Sequence, residues 1–316
     1  MALAFDLRFD TIATIRALAW ALAVGIALWT VARRPDAAGR AFALWAIVWA
    51  GGVQLVLSLD GMASSAATAQ LLYRVAYYPT LFTSAAFLAL LCVVPTHVAR
   101  SAALRASVLG FGLLVLAAFA LDHGAFVTET VTDGAYAGNN AGLGSIVYHP
   151  LIWTGYVVGL LWLGWQAPAW PERLQRSASW LMAGLGLFAA DRFARTLTEF
   201  LVAPATLPGG FEGAAYFASM MAFGPGVAWM VLRFRRQPLA RRVTRACLAG
   251  AAIGATGIVT FLTPPLFGVD LSAAPVLFSA LLGPAYVYLA SRGALEATTE
   301  DLVPARGARA AVLSET

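Results

Sequence analysis

Lysine is absent from this chain of 316 residues, whose 21 basic residues are all arginine. The absence excludes a retinal Schiff base and any other chemistry that requires a lysine amine. Cysteine is scarce too, and Cys92 and Cys247 lie in apolar runs that form neither a disulfide framework nor a metal motif. The three histidines lack the i,i+3 or i,i+4 spacing that is typical of haem and zinc sites. We therefore predict no metal site and no cofactor.

The motifs of the common catalytic classes are also missing. The sequence contains no GxSxG, HExxH or P-loop pattern. Asp191 and Glu199 are candidates for an acid–base couple, but neither a nucleophile nor a metal motif accompanies them. We therefore predict no catalytic residues, and an enzyme is the minority interpretation.

Charged residues are few and long hydrophobic runs dominate the chain. The charged fraction is 12%, the hydrophobic fraction is 60% and the mean hydropathy is +0.75. Soluble domains contain about 25% charged residues, so this composition predicts an all-α, polytopic transmembrane helix bundle. A spanning helix needs about 20 apolar residues, and we predict nine spans, at residues 11–31, 41–59, 69–94, 104–121, 146–165, 177–202, 213–232, 243–262 and 273–291. Residues 292–316 are predicted to form a disordered cytoplasmic tail.

Arginines are distributed unevenly among the predicted loops. They follow the first, third, fifth and seventh spans, and the largest group lies between Arg233 and Arg245. The alternate loops, including the long polar loop Asp122–Gly144, contain acids and no arginine. The positive-inside rule therefore predicts an external N-terminus and a cytoplasmic C-terminus in the inner membrane. Because the arginines set orientation, the pI of about 9.6 does not predict a nucleic-acid partner.

The sixth predicted span contains charged residues without any turn signal. Asp191, Arg195 and Glu199 are spaced four apart and so share one helix face, with Arg192 next to the first of them. Ionisable groups within a membrane helix are costly and face the bundle interior. The stripe predicts either a ligand site or a buried ion ladder that only holds helices in register.

The depth of other polar residues extends this site. With a rise of about 1.5 Å per residue, Arg74 of the third span lies level with Glu199, and we predict that these two residues are in contact or share one bound anion. The same outer level contains Arg16, Tyr77, Tyr78 and His149. Alternatives are a snorkelling Arg16, an aromatic belt of tyrosines and a capping His149. The arginines outnumber the acids, which predicts an outward-facing pocket for a small anionic or amphipathic ligand.

Three stretches near the N-terminus carry a family resemblance. They are the first loop Ala32-Arg33-Arg34-Pro35-Asp36-Ala37-Ala38-Gly39-Arg40-Ala41-Phe42, the second-span segment Leu44-Trp45-Ala46-Ile47-Val48-Trp49 and the third-span segment Tyr73-Arg74-Val75-Ala76-Tyr77-Tyr78-Pro79. With an external N-terminus, residues 10–235 resemble the N-terminal seven-helix sensor region of some prokaryotic histidine kinases and diguanylate cyclases. The resemblance implies a receptor-like membrane domain. The chain adds two spans and no output domain, so we expect a separate cytoplasmic signalling partner.

Three functional hypotheses follow from these observations. The first is a membrane sensor that binds a ligand in the outward-facing pocket. The second is a transporter or lipid flippase in which the same charged residues form a gate. The third is a membrane-embedded enzyme of lipid or isoprenoid metabolism.

Overall fold

The described part of the chain is almost entirely helical. The computed structural model describes residues 7, 9–35, 37–91, 102–121, 127–133, 136–141, 155–159, 161–166, 169–170, 172–202, 218, 221–234, 240–256, 258 and 273–296. Within these ranges the main departure from helix is one two-stranded antiparallel hairpin. The helical fold class that the composition predicts is thereby confirmed.

Nine α-helices of the described residues are numbered here in chain order, and a π-helix separates the second from the third. Their bounds are α1 Thr11–Arg33, α2 Ala37–Ala46, the π-helix Ile47–Leu55, α3 Val56–Asp60, α4 Ala66–Leu91, α5 Ala102–Leu121, α6 Glu172–Val202, α7 Phe223–Phe234, α8 Ala240–Ala255 and α9 Ala273–Glu296. Residues 155–159 and 161–166 are also helical and fall in the fifth predicted span. The first parts of the fifth and seventh predicted spans lie outside the described residues.

Two segments, Thr11–Arg33 and Gly39–Asp60, are long and apolar enough to cross a membrane by length and composition. The outer surface of the bundle is apolar as well. On α1 alone, Leu18, Leu22 and Leu28 are exposed by 56–65%. Water-soluble monomers rarely expose contiguous apolar surface of this kind.

Helix α6 is the central element of the second half of the chain. It packs against α7, α8 and α9, and α9 in turn packs against α1. Gly250 and Gly254 of α8 lie against Leu187 and Asp191 respectively, so α6 and α8 are parallel. Gly293 of α9 lies against Ser177 near the start of α6, whereas Gly184 lies against Tyr286. Helices α6 and α9 are therefore antiparallel.

The second predicted span is not a regular α-helix. Nine consecutive residues, Ile47–Leu55, form a π-helix between α2 and α3. A β-carbon at Gly52 would lie 2.7 Å from the ring of Pro79, the proline inside α4. Because only glycine permits this approach, the widened helix packs directly against the proline-interrupted turn of α4. Extended π-helices are rare and are frequently found at functional sites.

The loop predicted at Asp122–Gly144 contains a β-hairpin, which corrects that prediction. Strand β1 (Val127–Asp133) pairs with β2 (Tyr136–Ala141), with Asp133 opposite Tyr136. The physical reason is local, because β1 is rich in β-branched Val and Thr, which favour extended backbone. The other residues of the predicted loop lie outside the described residues.

The predicted start of the disordered tail is also wrong. Helix α9 continues through Arg292 to Glu296. The Arg34 guanidinium donates hydrogen bonds to the carbonyl oxygens of Ala294 and, at 3.4 Å, Leu295. These bonds satisfy carbonyl groups that a helix C-terminus otherwise leaves without partners. Residues 297–316, also predicted to be disordered, lie outside the described residues.

Candidate functional site

The candidate site begins where the most buried stretch of α6 ends. Residues 181–190 of α6 are all buried and apolar or glycine. Asp191 follows them and is 0% exposed, although it carries a carboxylate. Burying an unpaired carboxylate would cost several kcal/mol, so this position requires a cationic partner or a bound ligand.

Two arginines of the same helix provide the positive charge. Nη2 of Arg195 lies 3.4 Å from Oδ1 of Asp191, and Nε of Arg192 lies 3.9 Å from Oδ2. The arginine side chains are 20% and 29% exposed respectively, whereas the Asp191 side chain is 1% exposed. We refer to Asp191, Arg192 and Arg195 as the Asp191 cluster. Asp191 and Arg195 of the predicted stripe thus form an i,i+4 ion pair on α6.

The pairing within the Asp191 cluster is incomplete. Among the described residues, Oδ2 of Asp191 and the Nε atoms of Arg192 and Arg195 are buried and have no hydrogen-bond partner. Two guanidinium groups face one carboxylate, so the cluster has an excess of one positive charge. Buried polar atoms without partners are uncommon in native structures. An anionic group placed beside the two Nε atoms would satisfy both the charge and the donors.

Glycines of neighbouring helices bring α7 and α8 close to the Asp191 cluster. A β-carbon at Gly254 of α8 would lie 2.3 Å from the Asp191 carbonyl oxygen and 3.0 Å from the Arg195 amide nitrogen. A β-carbon at Gly224 of α7 would lie 2.5 Å from the Phe193 ring. The small residues of α8 thus allow close helix packing.

Aromatic side chains lie next to the cluster, on the side towards the start of α6. The Arg192 guanidinium lies 5.5 Å from the centre of the Phe188 ring. Phe188 stacks on Tyr286 of α9 at 5.3 Å and meets Trp49 of the π-helix edge-on at 5.6 Å. Trp45 and Trp49 stack at 5.9 Å. Phe188, Trp49 and Tyr286 are buried, so the Arg192 guanidinium lies at the edge of the aromatic core of the bundle.

A second polar network lies at the other end of α6. A buried hydrogen bond of 2.6 Å joins Thr30 of α1 to Ser291 of α9. Ser177 of α6 donates to the Gly293 carbonyl oxygen of α9, also at 2.6 Å. Sequence reasoning missed both bonds because single Ser and Thr residues in apolar helices give no pattern. These hydrogen bonds connect α1, α6 and α9 near the start of α6, away from the Asp191 cluster.

The other predicted ligand residues are dispersed. Arg74 is exposed on α4, where Tyr77 is buried and Tyr78 is half-buried. Arg16 on α1 interacts electrostatically with Asp60 at the end of α3. The backbone of Glu199 belongs to α6, but its side chain lies outside the described residues, as does His149. Helix α4 packs mainly against α5, the π-helix, α2 and α3, and the contact of Arg74 with Glu199 stays a prediction.

Within the described ranges, no group of three or more His, Cys, Asp or Glu is arranged to hold a metal ion. Comparison with models of known protein families gives no match, and neither curated proteins nor solved structures match the chain. The chemistry of the Asp191 cluster is therefore the basis for a functional proposal.

Proposed function

We propose that the protein is a multi-pass inner-membrane sensor that binds the anionic group of a small or amphipathic ligand at the Asp191 cluster. In this proposal nine helices span the bilayer, with the N-terminus outside and the C-terminus in the cytoplasm. The cluster then lies in the outer half of α6, and the aromatic core beside Phe188 lies near the midplane. No chemical conversion of the ligand is required.

Helix directions and surface composition support the membrane arrangement. The first, sixth, eighth and ninth spans correspond to α1, α6, α8 and α9. In an alternating bundle the sixth and eighth spans run parallel and the ninth runs opposite to the sixth, and the glycine contacts described above have these directions. The exposed leucines of α1 support contact with lipid, because they would otherwise face water.

The observation that carries ligand binding is the set of unsatisfied buried atoms in the Asp191 cluster. A purely structural ion ladder would pair its donors and acceptors fully, because each unsatisfied buried group costs about 1–3 kcal/mol. In the Asp191 cluster two guanidinium Nε atoms and one carboxylate oxygen are unsatisfied among the described residues. A carboxylate or phosphate group of a ligand offers the acceptors that these donors need.

The signalling role rests on the resemblance of residues 10–235 to seven-helix sensor regions. In the proposed arrangement the polar network of Thr30, Ser177 and Ser291 lies at the cytoplasmic end of α6. A ligand that shifts α6 at the Asp191 cluster would act on this network through a rigid helix. We propose that a separate cytoplasmic signalling protein reads that shift.

A transporter or lipid flippase is the second candidate, and one observation favours it. The π-helix Ile47–Leu55 packs against the proline-interrupted turn of α4. Interrupted helices at membrane depth are common in transporters, where they line the path of the substrate. In this alternative the Asp191 cluster would act as a gate.

Octanoate is a suitable probe because it joins one carboxylate to a short apolar chain, and octanamide is its neutral control. With the full chain purified in a neutral detergent, we expect saturating octanoate to raise the apparent Tm by about 2–4 °C. Arg192→Gln and Arg195→Gln should each abolish most of this rise. Arg33→Gln, which removes an exposed arginine of α1, should leave it unchanged. Equal stabilisation by octanoate and octanamide, or a full rise in both cluster variants, would contradict the proposal.

Reconstitution separates the two candidates. A sensor should leave the inward movement of a fluorescent phosphatidylglycerol in proteoliposomes no faster than in protein-free liposomes. A flippase should accelerate that movement, and Arg195→Gln should abolish the acceleration. If the protein accelerates lipid movement in this way and also binds octanoate, the Asp191 cluster acts as the gate of a flippase.

A further inference from the structure

Trp180 of α6 contacts arginines from two other helices. The Arg242 guanidinium carbon lies 3.7 Å from the centre of the indole ring, and that of Arg292 lies 5.4 Å from it. Arg242 belongs to α8 and Arg292 to α9, so three helices meet at this ring. Nη1 of Arg242 also donates a hydrogen bond of 2.7 Å to the Ser179 hydroxyl. We refer to Trp180, Arg242 and Arg292 as the Trp180 site.

The surroundings of the Trp180 site are strongly basic. Exposed arginines on the same ends of α6 and α8 add to its charge: Arg176, Arg241 and Arg245. Glu172 pairs with Arg176 at 3.4 Å, and Glu296 follows Arg292 by four residues in the sequence. The arginines therefore outnumber the glutamates by five to two. An anion would be attracted to this surface even when both glutamates are ionised.

The surface becomes apolar one turn further along α8. Leu248 is 65% exposed and follows Arg245 by three residues, on the same helix face. Ala249 and Ala252 are exposed beyond it. A basic zone followed by exposed apolar side chains matches a molecule that has an anionic head and a hydrocarbon chain.

We propose that the Trp180 site binds the phosphate group of an anionic phospholipid from the cytoplasmic leaflet, with one acyl chain along Leu248. A guanidinium can donate two parallel hydrogen bonds to a phosphate, and stacking on an indole holds it ready to do so. Tryptophan and arginine are both typical of the bilayer interface, and basic surfaces between helices on the cytoplasmic side bind anionic head groups. The inference rests on the membrane embedding in the proposed function but does not depend on the Asp191 cluster.

The test measures lipid retention by native mass spectrometry of the full chain in a neutral detergent. The titrants are phosphatidylglycerol and, as the neutral control, phosphatidylcholine with the same acyl chains. We expect tighter binding of phosphatidylglycerol, weakened about fivefold by Arg242→Gln and about fivefold by Arg292→Gln. Arg33→Gln is the matched control, because Arg33 also lies over a tryptophan, Trp29 at 5.7 Å, but on a single helix. It should leave retention unchanged.

Further titrants and variants distinguish lipid binding from simpler explanations. Glycerol 3-phosphate presents the phosphate without acyl chains. If it binds as tightly as phosphatidylglycerol, the ligand of the Trp180 site is a free phosphate compound and not a lipid. Arg242→Lys keeps the charge but loses the planar guanidinium, so we expect it to restore only part of the affinity. The octanoate response of the Asp191 cluster is a separate measurement, so failure of the Asp191 cluster proposal would not affect this result. The inference would be overturned if Arg33→Gln and Arg292→Gln lost phosphatidylglycerol retention equally, or if the protein retained both lipids equally.

Discussion

Gly254 of α8 lies against the main chain of Asp191, so closely that a β-carbon at this position would be 2.3 Å from the Asp191 carbonyl oxygen. The nearest atoms are two backbone atoms and the Ala194 β-carbon, none of which can rotate away as a flexible side chain can. This approach brings α8 beside the turn of α6 that holds Asp191 and Arg195. The geometry of the Asp191 cluster therefore depends on a residue that carries no side chain.

Gly254→Ala should destabilise the protein by about 1–3 kcal/mol, because the added methyl group forces α6 and α8 apart. Gly25→Ala is the matched control, since no atom lies within 4 Å of the position that its β-carbon would occupy. The control should be neutral or stabilising, because alanine favours helix more than glycine does. Thermal unfolding of both variants in detergent measures the difference. Equal effects would mean that α8 does not approach α6 this closely.

Asp191→Asn should destabilise the protein by about 3 kcal/mol, because it leaves two partly buried guanidinium groups without their carboxylate. Glu172→Gln tests the same chemistry on the same helix. Both acids pair with an arginine four residues later at 3.4 Å, but the Glu172 side chain is 85% exposed. A solvated pair contributes about 0.5 kcal/mol or less. Thermal unfolding should therefore separate the two variants clearly, and similar losses would show that the burial of Asp191 is unimportant.

Tyr156→Phe should cost about 1–3 kcal/mol, because the buried indole N–H of Trp45 donates to the Tyr156 hydroxyl at 3.2 Å. Tyr286→Phe provides the comparison within the same aromatic core. The Tyr286 hydroxyl is buried without a hydrogen-bond partner among the described residues. Its removal should be neutral or stabilising, as judged by thermal unfolding. A loss as large as that of Tyr156→Phe would reveal a partner for this hydroxyl.

Arg74→Gln should change stability by less than about 0.5 kcal/mol, because Arg74 is exposed. The contact with Glu199 that the sequence predicts would give a different result in a double-mutant cycle. If the pair exists, Arg74→Gln together with Glu199→Gln should recover part of the loss caused by Glu199→Gln alone. Simple addition of the two effects would leave Arg74 as a residue at the lipid–water interface.

Topology reporters test the proposed orientation. A reporter fused after Gln237 should be cytoplasmic, because the surrounding arginines favour that side. A reporter inserted between Gly134 and Asn140, in the region of the hairpin, should be external. Reversed labelling at the two positions would invert the scheme and move the Asp191 cluster to the cytoplasmic half.

The positions of the helices could be read from the sequence because hydropathy and periodicity are local properties. The i,i+4 pairing of Asp191 with Arg195 could be read for the same reason, since the two residues share one helix. The π-helix at Ile47–Leu55 could not be predicted from the sequence, because its hydropathy is that of an ordinary spanning α-helix. The strand Val127–Asp133 is rich in β-branched residues, which favour a strand, but the surrounding segment is polar and therefore predicts a loop.

Composition and spacing by themselves determined that this chain is helical, rich in apolar surface and charged at one stripe of α6. Tertiary structure alone decided which helices surround that stripe, because such contacts depend on distant residues that fit together. Thr30 and Ser291 are separated by 261 positions, and no pattern in either helix links them. Arg74 and Arg242 illustrate the same limit: one was predicted to pair inside the bundle and is exposed, whereas the other was assigned to a loop and stacks on Trp180. Depth along a helix follows from counting residues, but the direction a side chain faces depends on how the helices pack.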